Sequence, residues 1–394
     1  MTASAPGRLP RLSSQEAQHS QAVAALIRQR IRAHGGWLDF ETFMDLALYE
    51  PGLGYYSAGT AKLGSGGDFI TAPELSNLFS ACVARQCAEI LAVSSGNEIL
   101  EFGAGTARMA AGVLEHLARW EALPERYCIL EVSADLKARQ QERIARLPAA
   151  LAARVFWLDT WPRSPIRGAL LANEVLDALP CRRFAIRESG VHAVGVVSAS
   201  DGTFMELERP ADAALQEDLA AILDGLPAPL APVYRSELCP RAGAWIEGAA
   251  QCLARGALLV FDYGLPRAHY YHPQRRAGTL RCHFKQLAHD DPYVNVGLQD
   301  ITAWVDFTRV GLAADGCGLD VLGFCTQAAF LLGTRIDSLA DPNADPIGRA
   351  RWASEARQLL LPGEMGEAFK VMALGRGMET PLMGFAHQDL RYSL

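Results

Sequence analysis

The stretch EILEFGAGTARMAAGVLEHLARW, residues 98–120, reads as a buried strand, a tight glycine turn and an amphipathic helix in immediate succession. Gly103 and Gly105, spaced by one residue, let the backbone turn sharply and approach a ligand closely, and the helical spacing begins at once. The same alternation continues outward. YCILEVS (127–133), ARVFWLD (153–159), GALLANE (168–174) and ALLVFDYG (257–264) are short apolar runs expected to be strands buried on both faces, and ADLKARQQERIARL (134–147) has helical spacing. Strand and helix in alternation predict an α/β fold with a parallel, Rossmann-like sheet and helices on both faces. AFKVMALGRG (368–377) is the candidate that finishes the sheet.

Two segments break the pattern. Residues 182–208 alternate with period two and turn at Ser189-Gly190 and Asp201-Gly202, as antiparallel hairpins do, and 265–316 are too polar for a core. Upstream, apolar faces from Ala22 to Leu48 predict N-terminal helices, followed by a glycine-rich stretch whose Tyr55, Tyr56 and Phe69 suit an ordered lid. The expected organisation is therefore a disordered N-terminus (1–14), helices and lid (15–90), a ligand-binding core (91–181), an inserted β-hairpin accessory lobe with helices (182–250), and the rest of the core with substrate-side loops (251–394).

Composition narrows the class. The chain has 394 residues, is half hydrophobic and carries a formal net charge of -7. That balance disfavours a partner such as bulk nucleic acid, which selects a basic face. The apolar runs fall far short of the ~20 residues that span a bilayer, so no stable membrane insertion is expected. Nine cysteines with no CxxC pair point to free thiols in a reducing compartment and to no metal site.

The strand ends carry the candidate ligand groups. Glu101, Gly103, Gly105 and Thr106 close the first strand, and the third position of a dinucleotide GxGxxG pattern is Arg108 here. Glu131 ends the second strand, where a carboxylate can accept hydrogen bonds from ribose hydroxyls; Asp159 ends the third, within reach of an adenine amino group. The fourth ends in ALLANEVLDALP (169–180), with Asn173, Glu174 and Asp177. Asn173 can cap a following helix, and Glu174 and Asp177, at i and i+3, can share one face of its first turn. Competing acids are Asp68 and Glu74 in the lid, Glu237, Asp262 and Asp300.

EFGAGTA, ILEVS, LDTW and ANEVLDALP, in this order, resemble the motifs of class I S-adenosyl-L-methionine (SAM) dependent methyltransferases. GDFITAPELSNLF (67–79), ANEVLDALPCRRF (172–184), GTLRCHF (278–284), DDPYVNVGLQDITAWVDF (290–307) and PGEMGEAFKVMALGRG (362–377) resemble more specifically the MidA-like family. The resemblance runs from about Tyr49 to the C-terminus. It implies SAM as cofactor, bound by Glu101, Gly103, Gly105, Thr106, Glu131, Asp159 and Asn173. It further implies transfer to an arginine of a protein client, a respiratory complex I-type subunit or its bacterial counterpart, with Glu174, Asp177 and Asn173 catalytic. Asp68, Phe69, Thr71, Glu74, Glu237 and Asp262 would serve the lid or substrate side. The family often carries a histidine where this chain has Trp304. The implied location is bacterial cytoplasm, or mitochondrial matrix for a eukaryotic source, and a homodimer stays open. So do methylation of a small molecule at oxygen or nitrogen, a SAM-binding assembly factor without turnover, and a dehydrogenase.

Overall fold

A computed structural model describes residues 9–58 and 71–394; Asp68 and Phe69 lie outside the described residues. Seven strands build the main sheet: β1 (Glu98–Phe102), β2 (Arg126–Leu130), β3 (Val155–Leu158), β4 (Ile166–Asn173), β5 (Leu253–Leu265), β6 (Asp320–Thr326) and β7 (Phe369–Arg376). Their spatial order is β6-β7-β5-β4-β1-β2-β3, and a two-residue strand, Val305–Asp306, pairs beside the end of β5. All neighbours run parallel except β7, which lies antiparallel between β5 and β6. The C-terminal run thus completes the sheet from inside rather than at its edge.

The apolar runs form strands because both of their faces are covered. Ile99, Ala169 and Leu171 pack into one core with the helices Asn77–Ser94 and Arg108–Arg119. Leu100, Leu170 and Ala172, one residue out of phase, pack into the other with the helices Pro240–Gln251 and Phe307–Gly316. Alternate side chains of a strand point to opposite faces, so a continuous apolar run is what a two-sided core requires.

The accessory lobe draws on several parts of the chain. Its five-stranded sheet joins the expected hairpins, Arg182–Arg187, Gly190–Ser198 and Phe204–Pro210, to Tyr234–Leu238 and to Leu38–Asp39. The N-terminal helices Ser14–Ala33 and Phe40–Tyr49 pack there through Val23, Ile27, Phe40 and Phe43, against Val196, Cys282 and Ile301. Order begins earlier than expected, since Ser13 and Glu16 form a reciprocal capping box on the first helix. A three-stranded sheet, Arg281–Phe284, Leu287–His289 and Asp300–Thr302, adjoins the same core. Among the described residues no helix is long and apolar enough to cross a membrane.

Candidate active site

Beyond the carboxyl ends of β1, β2 and β4 lies a cavity of about 380 Å³. Gly103 and Gly105 turn with φ of +61° and +55°, the left-handed region that favours glycine, and the helix Arg108–Arg119 starts beside them without a side-chain cap. The segment Ala72–Leu75 is fastened over this turn: the Thr106 hydroxyl donates to Glu74, and Arg108 Nε donates to the Pro73 carbonyl at 2.9 Å. Thr71, Glu74, Gly103, Gly105 and Thr106 all line the cavity.

Two buried carboxylates stand behind the turn. Glu131 accepts from the Ser133 N–H (2.8 Å) and from Gln140 Nε2 (2.9 Å), and the same Gln140 nitrogen donates to the Gly105 carbonyl at 3.0 Å. Gln140, unremarked in the sequence, therefore ties the acid of β2 to the glycine turn. Trp157 fixes it by donating to its Oε1 at 2.9 Å. Glu101 accepts from the Tyr127 hydroxyl at 2.6 Å, and burial pushes its carboxyl up to about 7 despite that bond.

The raised Glu101 value gives a pH signature. The folded chain binds this proton more tightly than the unfolded chain, whose carboxyl titrates near 4.5. The associated stability is complete below pH 4.5 and is lost as pH rises to about 7. Its size is on the order of 3 kcal/mol. Thermal melts of Glu101→Gln should therefore fall less steeply than wild type between about pH 5 and pH 7.5. Parallel slopes for the two proteins would contradict the assignment.

The fourth strand end departs from expectation. No helix follows Asn173; residues 174–179 form a turn, and Glu174 sits at φ +53°. Two groups from β5 hold that turn: the Phe261 carbonyl accepts from the Glu174 N–H (2.9 Å), and Asp262 Oδ2 accepts from the N–H groups of Leu176 (2.9 Å) and Asp177 (3.3 Å). Asp262 is wholly buried and is not among the residues lining the cavity; its Oδ2 shapes the turn. Asn173, Glu174 and Asp177 do line it. Asn173 Nδ2 donates to Glu174 Oε1 at 3.2 Å, whereas Asn173 Oδ1 and Glu174 Oε2 have no hydrogen-bond partner among the described residues. Burial, then the neighbouring Asp177, raises the Glu174 carboxyl well above its ordinary range; burial, then Asp262 and Asp300, does the same to Asp177.

Two further candidates fall elsewhere. Asp159 is one residue past the end of β3, with its side chain 83 % exposed and paired to Lys137 at 2.7 Å, and Trp161 lines the cavity instead. Glu237 is buried in the accessory lobe, where it accepts from the Thr279 N–H at 2.8 Å. Conversely, Tyr49, Tyr56 and Trp245 line the cavity without having been singled out as its walls, and Asp300, one of the competing acids, lines it too. Only the aromatic content of the lid region hinted at the tyrosines. Among the described residues the nine cysteines are free and no group of three potential metal ligands occurs.

Comparison with known proteins agrees with this geometry. Residues 82–325 match the family model described as "Putative S-adenosyl-L-methionine-dependent methyltransferase". The mitochondrial protein arginine methyltransferase NDUFAF7 of Danio rerio is 29 % identical, with 86 % of this chain and 83 % of that protein covered. Its human counterpart is 28 % identical over 84 % of this chain and 78 % of its own. A candidate methyltransferase of Burkholderia thailandensis, solved with S-adenosyl-homocysteine, superposes with a TM-score of 0.93 at 40 % identity, covering 98 % of this chain and 100 % of that one.

Proposed function

The chain belongs to the MidA-like family of SAM-dependent methyltransferases, and from that premise we propose that it methylates an arginine side chain of a protein client, a complex I-type subunit or its bacterial counterpart. The observation that carries this reading is that one cavity is lined by both groups of residues. The glycine turn and Glu131 line it, and so do Glu174 and Asp177 from the strained turn that follows β4.

The residues present fit the donor. The turn leaves room for close approach, and the orphaned Asn173 Oδ1 and Glu174 Oε2 are buried acceptors that need a partner. Glu131 would accept from the ribose hydroxyls and Glu101 from the amino group, with Gln140 keeping Glu131 in place. Bound SAM supplies a methyl group on a positively charged sulfur.

The rest is positioning and proton handling by the chain. A guanidinium stays protonated, with a pKa above about 12, and its delocalised lone pair makes it a weak nucleophile. Carboxylates at two edges of it, accepting from N–H groups in its plane, hold it in line and draw positive charge away from the reacting nitrogen. Glu174 and Asp177 would do this, and cationic ligands stabilise their ionised forms against burial. The nitrogen that gains the methyl group must shed a proton, and Glu174 Oε2, an orphaned buried acceptor, takes it, so the acceptor leaves as a singly charged methylguanidinium beside a neutral Glu174 carboxyl.

Relatives named as mitochondrial and neighbours from a bacterium support a site of action in the mitochondrial matrix or bacterial cytoplasm, according to source. The test uses lysate of a strain lacking the protein, incubated with it and methyl-labelled SAM. Label is expected on arginine in one or a few protein bands. Label confined to the low-mass fraction, or SAM binding without transfer, would overturn the protein-arginine reading.

A further inference from the structure

We infer that Thr279, oriented by Glu237, is the positioning residue through which the accessory lobe aims the Asp177 carboxylate. This rests on the acceptor role of Asp177 proposed above and goes beyond it by assigning what directs that group. The rotamers open to a side chain depend on its backbone angles, so fixing the two flanking peptide groups aims the side chain. Both peptide groups of Asp177 are held. Its N–H donates to Asp262 on β5 (3.3 Å), and its carbonyl accepts from the Ala303 N–H (3.0 Å). One residue on, the Trp304 N–H donates to Thr279 Oγ1 at 3.0 Å. Thr279 in turn donates its N–H to Glu237 Oε2 at 2.8 Å, and its hydroxyl lies 3.4 Å from the same oxygen. Hydrogen bonds thus lead from the lobe strand Tyr234–Leu238 to the acceptor turn, with only the step from 304 to 303 covalent.

The chemistry of this junction suits a hydroxyl, which offers one donor and two acceptor positions. Oγ1 accepts from the Trp304 N–H and donates to Glu237 Oε2, and the Tyr270 hydroxyl at 3.1 Å fills the second acceptor position. Thr279 is 6 % exposed and Glu237 1 %, and each bond broken here strands a polar group away from water. The backbone is shaped to the carboxyl: Gly278 has φ +76°, and a Cβ there would collide with the Glu237 oxygens. Glu237 is placed by its register opposite Arg183, whose Nε lies 3.9 Å from Oε1, and by the Tyr271 hydroxyl on its carbonyl at 3.1 Å. The rest of the turn is tied to the same side of the molecule. Tyr49, stacked on the Tyr56 whose hydroxyl donates to Asp300 at 2.8 Å, donates its own to the Ala178 carbonyl at 2.9 Å. Cys239, two residues after Glu237, directs its thiol at the Pro180 carbonyl at 3.5 Å. Those ties hold residues 178 and 180; the Thr279 route reaches residue 177 itself.

Two full-length variants separate aiming from mere support. Thr279→Val keeps the volume and the N–H bond to Glu237 and deletes the hydroxyl; Thr279→Ser restores it. The probe is the peptide carrying the arginine labelled in lysate, titrated into enzyme saturated with S-adenosyl-homocysteine and then turned over with SAM. Thr279→Val should weaken peptide binding and raise KM about fivefold or more, with S-adenosyl-homocysteine affinity and stoichiometry within about twofold. Partial unfolding would instead lower stoichiometry and kcat at an unchanged KM. Thr279→Ser should stay within about twofold of wild type in peptide affinity, since the hydroxyl and its three partners return. In an Asp177→Asn background Thr279→Val should cost less than about twofold, because the group that it aims has lost its charge. Peptide affinity unchanged in Thr279→Val, serine as weak as valine, or an equal loss with and without the Asp177 charge would overturn the inference alone. Asp177→Asn that binds the peptide like wild type, or wild type that labels no arginine, would overturn the acceptor reading beneath it as well. Should Thr279→Val melt too low to assay, Thr279→Cys, whose sulfur is only a weak acceptor, is read by the same criteria.

Discussion

Glu174→Gln is expected to lower kcat/KM for methyl transfer by on the order of 10²–10³-fold while S-adenosyl-homocysteine affinity stays within about threefold. Glutamine keeps the shape and the bond from Asn173, and loses both the charge that localises the guanidinium and the site that takes its proton. Glu174→Gly makes a second, opposite reading possible. A non-glycine residue at φ +53° is strained by roughly 1–2 kcal/mol, and glycine relieves that strain while removing a carboxyl whose ionised form burial disfavours. The glycine variant should therefore melt at or above the wild-type temperature and still be inactive. Calorimetry beside an initial-rate assay gives both numbers. A glutamine variant within about fivefold of wild type would remove Glu174 from the chemistry, because a lost proton acceptor is worth at least about tenfold more than that.

How much of this was readable in the sequence depends on whether the cause was local. The glycine turn, the two-sided strands and the acids at 101, 131 and 174 are legible because each follows from neighbours in the chain. The helix expected after Asn173 is absent for a non-local reason: Glu174 lies at φ +53°, outside the helical region, with its N–H on the Phe261 carbonyl, and Asp262, on the same strand some 85 residues further on, accepts from the N–H groups of Leu176 and Asp177. Asp262 looked like a ligand group for the same reason that it is conformationally important. A strand-end carboxylate satisfies either a ligand or a backbone, and only the register of β4 against β5 decides which. Asp159 shows the converse. Its strand ends one residue early, and Trp161 fills the wall of the cavity through contacts with Phe102 and Trp245 (centroids 5.1 and 5.9 Å). Asp300 and the tyrosines meet only because the accessory lobe folds over the sheet, a juxtaposition no local pattern encodes.

Gly103→Val should abolish measurable donor binding, raising the S-adenosyl-homocysteine dissociation constant at least about 100-fold, for two separable reasons. The first is backbone: φ is +61°, and a β-branched residue there costs more than the roughly 1–2 kcal/mol typical of left-handed L-residues. The second is volume. A Cβ at this position meets Val175 Cγ2 at 3.5 Å, an ordinary contact, so alanine fits without a clash while the two γ-methyls of valine extend beyond that limit into the cradle. Gly103→Ala isolates the first effect. It should lower stability by about 1–2 kcal/mol and weaken the donor only modestly, since the Gly103 N–H still donates to the Leu130 carbonyl at 3.0 Å. Titration calorimetry on the wild type and both variants, each with its thermal melt, distinguishes lost room from lost fold. Valine with near-normal affinity would mean that the donor does not approach this turn, and the donor half of the cavity would have to be placed elsewhere. Valine and alanine equally weak would mean that strain alone, spread to Glu131 through Gln140 and Gly105, controls the site. A large gap between them is what a close backbone approach requires, because only bulk in the cradle differs in kind between the two side chains.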